Sequence, residues 1–348
     1  MAYSSIAKPT DYFNTKLYTA NATSGHAITG IGHQPDWLWI KQRSNTYNHE
    51  VFDSVRGATK RLLPNDTDAE TTVSGVTSFD SDGFTLGDAY NANKDSGDSI
   101  VAWSWKAGGS ASSNGDGSVT SSVSANTTAG FSICTWTATG SAHTVGHGLG
   151  VAPSLIIVKT RHEANSWLVY HDKNTSAPET DYLELQSTAA TADYPVWNDT
   201  APTSSVFSIG TWSGNDASGT LVGYCFAEKK GYSKMGAYRG SSGNSFIYTG
   251  FKPAFLLVKS NSYSSGNWRI YDNKRSTSGF NVIDDSLRPN TTAAEIDETS
   301  VDFLSNGFKY RANVTDADSG GTDYIYYAVA ESPFVGNDSG TAVPVTAR

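Results

Sequence analysis

Two histidines stand four residues apart in His143-Thr-Val-Gly-His147, a spacing that on a helix would offer both imidazoles to one metal ion. Glycines at 140, 146, 148 and 150 break any such helix, and no third ligand follows at a zinc-site spacing. The pair therefore reads as exposed or hydrogen-bonded histidines. Asp80-Ser-Asp82-Gly83 and Asp316-Ala-Asp318-Ser-Gly-Gly321 place carboxylates at alternate loop positions, as a calcium loop does. Neither runs on to the terminal glutamate of such a loop, and turn chemistry accounts for both. Serines are plentiful, but the Gly-x-Ser-x-Gly elbow of the hydrolase fold is missing. No Gly-rich phosphate loop with Lys-Ser or Lys-Thr occurs. Cys134 and Cys225 are the only cysteines, too few for a disulfide scaffold, and Cys225 reads as a small core residue in an aromatic strand. Spacing alone cannot place a glycosidase pair of carboxylates across a sheet. The reading is a protein that is not an enzyme, with no catalytic residues, no metal and no cofactor.

Aromatic residues offer the better case for a binding surface. Most of the tryptophans recur at equivalent places as bulky residues (Trp103, Tyr224 and Tyr327; Trp167 and Trp268), the mark of a core position. Trp197 and Trp212 lie instead in stretches rich in Asn and Ser. They are expected to be partly exposed and are the ligand-binding candidates, because an aromatic beside Asn, Asp and Tyr stacks on sugar rings or anchors a protein contact. The competing reading makes each a local loop anchor.

The elements that must position these residues follow from repetition. Gly32-His-Gln-Pro35-Asp-Trp-Leu-Trp-Ile-Lys41, Gly150-Val-Ala-Pro153-Ser-Leu-Ile-Ile-Val-Lys159 and Gly250-Phe-Lys-Pro253-Ala-Phe-Leu-Leu-Val-Lys259 all fit Gly-x-x-Pro-x-(four apolar)-Lys without a gap. Their prolines are 118 and 100 residues apart, a domain-sized period. Glycine permits the turn, proline sets the strand entry, and the lysine is expected to cap the strand toward solvent. The apolar runs read as strands buried on both faces. Each repeat closes on an aromatic segment: Ser99 to Trp105, Thr220 to Glu228 and Tyr324 to Glu331. In these, alternation predicts one more solvated face. Asp82-Gly83 and Asn306-Gly307 mark turns where a positive φ is expected. Helical periodicity is absent.

The fold class is therefore all-β, with three tandem homologous β-sandwich (jelly-roll or lectin-like) domains. Residues 1–16 form an N-terminal arm, 17–109 the first repeat, and 110–130 a Gly/Ser-rich linker with one strand. Repeats two and three follow at 131–231 and 232–334, with a tail at 335–348. The repeats could close into a pseudo-threefold knob or extend as beads, and the sequence does not choose.

Composition sets the outer bounds. The 348 residues carry a net charge of −9, which argues against a nucleic-acid partner needing Lys and Arg clusters. Nine Trp, 18 Tyr and 14 Phe supply enough apolar surface for a folded core. No apolar run reaches the roughly 18 residues of a membrane-spanning helix, and the first residues lack a basic-then-apolar signal pattern.

Several long segments are familiar in type. Lys8 to Thr15, Gln34 to Arg43, Phe52 to Lys60, Val145 to Gly150, Trp197 to Phe207 and Gly223 to Glu228 resemble a repeat-containing family of uncharacterised virion or tail-associated structural proteins in tailed bacteriophages of marine bacteria. The resemblance covers nearly the whole chain, and its extension to the N-terminus implies a chain that is whole rather than one arm of a longer fibre. It implies a virion structural protein assembled in the host cytoplasm and transfers no catalytic or ligand residue. The function expected is a tail fibre or receptor-binding component that attaches to the host surface. Its partners would be other virion proteins of tail or capsid and a host surface glycan or protein, with no nucleic acid, no membrane insertion and an open option of a homotrimer. The alternatives are a capsid decoration or head-fibre protein and, third, an enzyme that degrades surface polysaccharide.

Overall fold

Alternation explains the architecture. In the motif strand Trp37–Gln42, Trp37 and Trp39 point to one side and Leu38 and Ile40 to the other, and all four are buried. The same holds for Leu155–Thr160 and Phe251–Ser260. A strand buried on both faces must lie between two packed layers, and each of these does.

The computed structural model describes residues 4, 6–88, 90–276, 281–333, 335–338 and 341–344. Among them there is no α-helix; the one helical turn is the 3-10 turn Pro9–Asp11. The named strands pair antiparallel, joined by turns and loops, and their order recurs three times. Each motif strand sits beside the closing strand of its third of the chain (Ser99–Trp105, Thr220–Phe226 or Asp323–Pro333). The closing strand pairs on its other edge with the opening strand, Phe13–Thr19, Phe131–Thr137 or Ser233–Arg239. Beyond the motif strand come Glu50–Asp53, Leu168–His171 or Arg269–Asp272. Smaller strand sets cover one face: His26–Thr29 with Gly83–Leu86 and Val76–Asp80, and His143–Gly146 with Val206–Ile209. In the last third the sheet itself curls round, so that Phe246–Tyr248 and Gly307–Tyr310 end an eight-stranded, near-barrel order.

Four apolar clusters result. Three lie between a large sheet and its cover, around Leu38 and Phe84, Ile156 and Phe207, and Leu256 and Phe308. The fourth is shared: Trp37, Trp39, Leu155, Ile157, Phe255 and Leu257 meet in one core with side chains of all three closing strands. Trp37 stacks on Tyr224 with ring centroids 4.7 Å apart, and Trp105 meets Phe255 edge-on at 5.4 Å. The void left among them is about 10 Å³, at the lower limit for one water. This closed arrangement settles the choice between knob and beads.

The three junctions repeat the same bonds in a ring. The N–H of Glu70 donates to the carbonyl of Arg161 at 2.9 Å, that of Glu295 to Arg43 at 2.8 Å, and that of Thr191 to Asn261 at 3.0 Å. Trp167 Nε1 donates to the carbonyl of Leu63 and Trp268 Nε1 to that of Glu184, both at 2.9 Å; His49 Nε2 meets the carbonyl of Arg288 at 3.1 Å. Asp53 accepts from Tyr224 Oη at 2.8 Å while ion-paired to buried Arg56. Asp272 accepts from Trp103 Nε1 at 2.9 Å while paired to buried Arg275.

Several expectations are corrected. The closing strands are buried on both faces, because the face expected in solvent docks into the shared core. The motif lysines do not cap toward solvent. Lys41, Lys159 and Lys259 are fully buried, and their ammonium groups donate to main-chain carbonyls, as from Lys159 to Thr67 at 2.9 Å and Asn165 at 2.8 Å. Burial pulls all three pKa values down to about 8. The strand expected within the 110–130 linker is present as Ser121–Asn126, and with Ser112–Asn114 it extends the second large sheet. The arm joins the sheet at Phe13, and Ile6 enters the shared core. In the tail, Val335–Asp338 pairs with Thr341–Pro344, and the rest of 335–348 lies outside the described residues. Motif glycines 32, 150 and 250 have the positive φ expected, from 73° to 90°. Gly83 and Gly307 do not; they are small because a Cβ would fall 1.9 Å and 2.1 Å from the carbonyl oxygens of Ile28 and Ile247.

Candidate functional site

An outward-facing cleft of about 250 Å³ opens on the middle third of the chain. Its floor comes from strands: Leu168 from Leu168–His171, and Tyr182 and Glu184 from the adjoining Asp181–Glu184. Tyr194 and Val196 enter after the short strand Ala192–Asp193, which pairs Tyr182 with Ala192. Asn165 and Ser166 come from the loop after the motif strand, and Trp212 and Ser213 from the loop after Val206–Ile209. Asn165 Nδ2 ties the two loops together through Ser213 Oγ at 3.1 Å, and Gln186 Nε2 holds Ser166 Oγ at 3.0 Å.

Trp212 is half-buried, packed at the edge of the second cluster. Its benzo ring lies over Gly214, where a Cβ would approach Cζ3 to 2.1 Å, so glycine is required for this placement. Its indole Nε1 is buried without a hydrogen-bond partner. What Trp212 offers the cleft is therefore ring surface rather than its N–H. Tyr194, half exposed, lines the same cleft. Burial raises the Tyr182 phenol pKa, with smaller pushes from Glu184 and Tyr194, so it stays a neutral donor at physiological pH. Three aromatics, one carboxylate and an amide around so small a volume can face one sugar-sized ring.

Trp197 is not part of it. It is 2% exposed, its Nε1 donates to the carbonyl of Asp181 at 3.1 Å, and its ring meets Tyr170 edge-on at 5.8 Å. The polar residues after it, Asn198 and Asp199, take left-handed φ values of 53° and 44° in a tight outer turn that tucks the indole inward. This corrects the expectation of an exposed Trp197. Tyr182 and Tyr194 carried no sequence signal, since only the pairing of two short strands brings them beside Trp212.

The other candidates are engaged within the fold. His143 Nε2 accepts from Trp136 Nε1 at 3.1 Å. His147 Nδ1 accepts from the N–H of Leu149, and its Nε2 meets the carbonyl of Thr203 at 3.2 Å. Asp82 accepts from the N–H groups of Gly30 and Gly32, which hold its carboxyl pKa down. Asp318 likewise accepts from Ser241 and Gly243, and Asp316 pairs with Arg269 and Arg288. Cys134 and Cys225 are buried neighbours, and burial followed by Cys134 itself raises the Cys225 thiol pKa. A second cleft of about 320 Å³ lies where the first and last thirds meet, lined by Arg43, Asp285, Glu295 and Asp297. Burial and then Glu295 push Asp285 up to about 6.

Fold and site together define an all-β protein of three strand sets on one shared core, with a small aromatic cleft on its flank. Residues 8–333 match the model of the DUF7483 family, described as a domain of unknown function, and the chain belongs to that family. No curated protein and no solved structure matches it.

Proposed function

We propose that the chain is a non-enzymatic structural protein of a bacteriophage virion, built from three homologous β-sandwich domains and mounted on the tail to attach to the host surface. The observation that carries the attachment role is the Trp212 cleft: aromatic walls for a sugar face, with Asn165 and Glu184 for its hydroxyls. A closed knob with loops outward suits a receptor-binding tip, because rigid sheets hold the loops and the shared core resists local opening. The phage assignment rests on the long sequence segments that resemble the virion family.

The test is a glycan array probed with labelled full chain. Selective binding is expected, and Trp212→Ala is expected to weaken it about 30-fold, the ~2 kcal/mol of a buried aromatic anchor. No glycan bound, or equal binding by the variant, would overturn this reading. The raised Asp285 favours a second one, a polysaccharide-degrading enzyme with Asp285 as the acid and Glu295 as its partner. Depolymerisation of a bound glycan that stops in Asp285→Asn would establish it.

A further inference from the structure

Three potential ligand side chains remain unused by the cleft. His162 and Glu163 follow the second motif strand, and Asp216 follows Trp212 by four residues on a separate loop. One ligand atom from each lies within 4.8 Å of the other two. We propose that His162, Glu163 and Asp216 form a site for a divalent transition-metal ion of the zinc class. An imidazole and two carboxylates are three protein ligands of the kind zinc takes, leaving a fourth position open. The nitrogen donor disfavours calcium, which takes oxygens.

Supporting contacts surround the three side chains. His162 Nδ1 faces the main chain of Thr220, 3.2 Å from its N and 3.4 Å from its O. In one tautomer Nδ1 accepts from the Thr220 N–H; in the other Nδ1–H donates to the Thr220 carbonyl, and Nε2 keeps its lone pair for the metal. An ion selects the second, the usual support of a ligating histidine. The ring can lie there because residue 219 is glycine: a Cβ would come within 2.3 Å of His162 Cε1 and 2.7 Å of Nε2. Asn165 Nδ2 reaches Glu163 Oε1 at 3.4 Å. The neighbouring guanidinium of Arg161 is turned away onto Glu70. Among the described residues, the Asp216 carboxylate makes no ion pair. Two carboxylates gathered at one imidazole without a cation repel each other, and a divalent ion reverses that sign.

The site also clamps loops. Asn165 bonds both Glu163 and Ser213, so an ion would tie loop 162–166 to loop 212–216, the two that form a wall of the Trp212 cleft. The ion site stands apart from the glycan reading; only this link to the cleft rests on it.

The test is calorimetric titration of EDTA-stripped, dialysed full chain with Zn²⁺, and separately with Ca²⁺. One zinc ion per chain is expected. His162→Ala and Asp216→Asn should each weaken it by more than tenfold, and Asn165→Ala by roughly tenfold as a supporting contact. Thermal melts of the stripped His162→Ala and Asp216→Asn chains should match the parent, because those two side chains are exposed. No saturable zinc site, unchanged affinity in both ligand variants, or tighter binding of Ca²⁺ than Zn²⁺ would overturn the proposal. Zinc binding with glycan binding indifferent to EDTA would keep the site and remove its link to the cleft.

Discussion

At the residue scale, burial decides which side chains are available. Trp197 and Trp212 sit in similar polar sequence, yet one fills a core and the other lines a cleft. Trp197→Ala should destabilise the chain by about 3–5 kcal/mol in urea melts, as loss of a buried aromatic does. Trp212→Ala should cost much less stability and act on binding instead. The three buried lysines make a second prediction. Each titrates near 8 when folded and near 10.4 when unfolded. Between those values the unfolded chain holds more protons, so their contribution makes stability rise with pH. Urea midpoints should be higher at pH 9.5 than at pH 7.5; a fall or no change would contradict the buried ammonium account. His171 works on the acid side. Burial lowers its pKa to about 4, so stability should drop as pH falls from about 6.5 toward 4, where the unfolded ring takes a proton first.

Among the elements, what was legible depended on whether the pattern was local. The motif strands announced themselves through Gly-x-x-Pro and four apolar residues, and burial on both faces followed from length and composition. The closing strands misled, because Val101, Trp103 and Trp105 cover a face that meets the other sheets, a partner no local alternation reveals. The lysines misled for a related reason: beside local carbonyls at Asn165 and Ser260, Lys159 and Lys259 each donate to one from another part of the chain, Thr67 and Thr188. Of the site, Trp212 was legible as an aromatic in a polar loop. Tyr182, Tyr194, and the meeting of His162 with Asp216 were not, since each depends on cross-strand or loop-to-loop approach. At Gly307, strand crowding makes its own prediction. Gly307→Ala would drive a methyl into the Ile247 carbonyl and should cost about 1–3 kcal/mol by denaturation, although the φ there suits alanine. An unchanged midpoint would mean that the two strands are not so close.

For the molecule as a whole, one core joins all three sheets, so the chain should melt in a single transition and scatter as a compact body. A compact body of this length has a radius of gyration of about 20 Å, and three beads in a row would exceed it clearly. The ring of equivalent bonds at the junctions leaves the shared faces filled, so a homotrimer is not needed to cover them. The central functional claim is the place of this knob at the end of a phage tail. Gold-labelled antibodies against the chain, mapped on intact virions that contain it, test that claim most directly. Label confined to the tail tip is expected; label spread over the capsid would rule out attachment at the tail and leave a decoration protein.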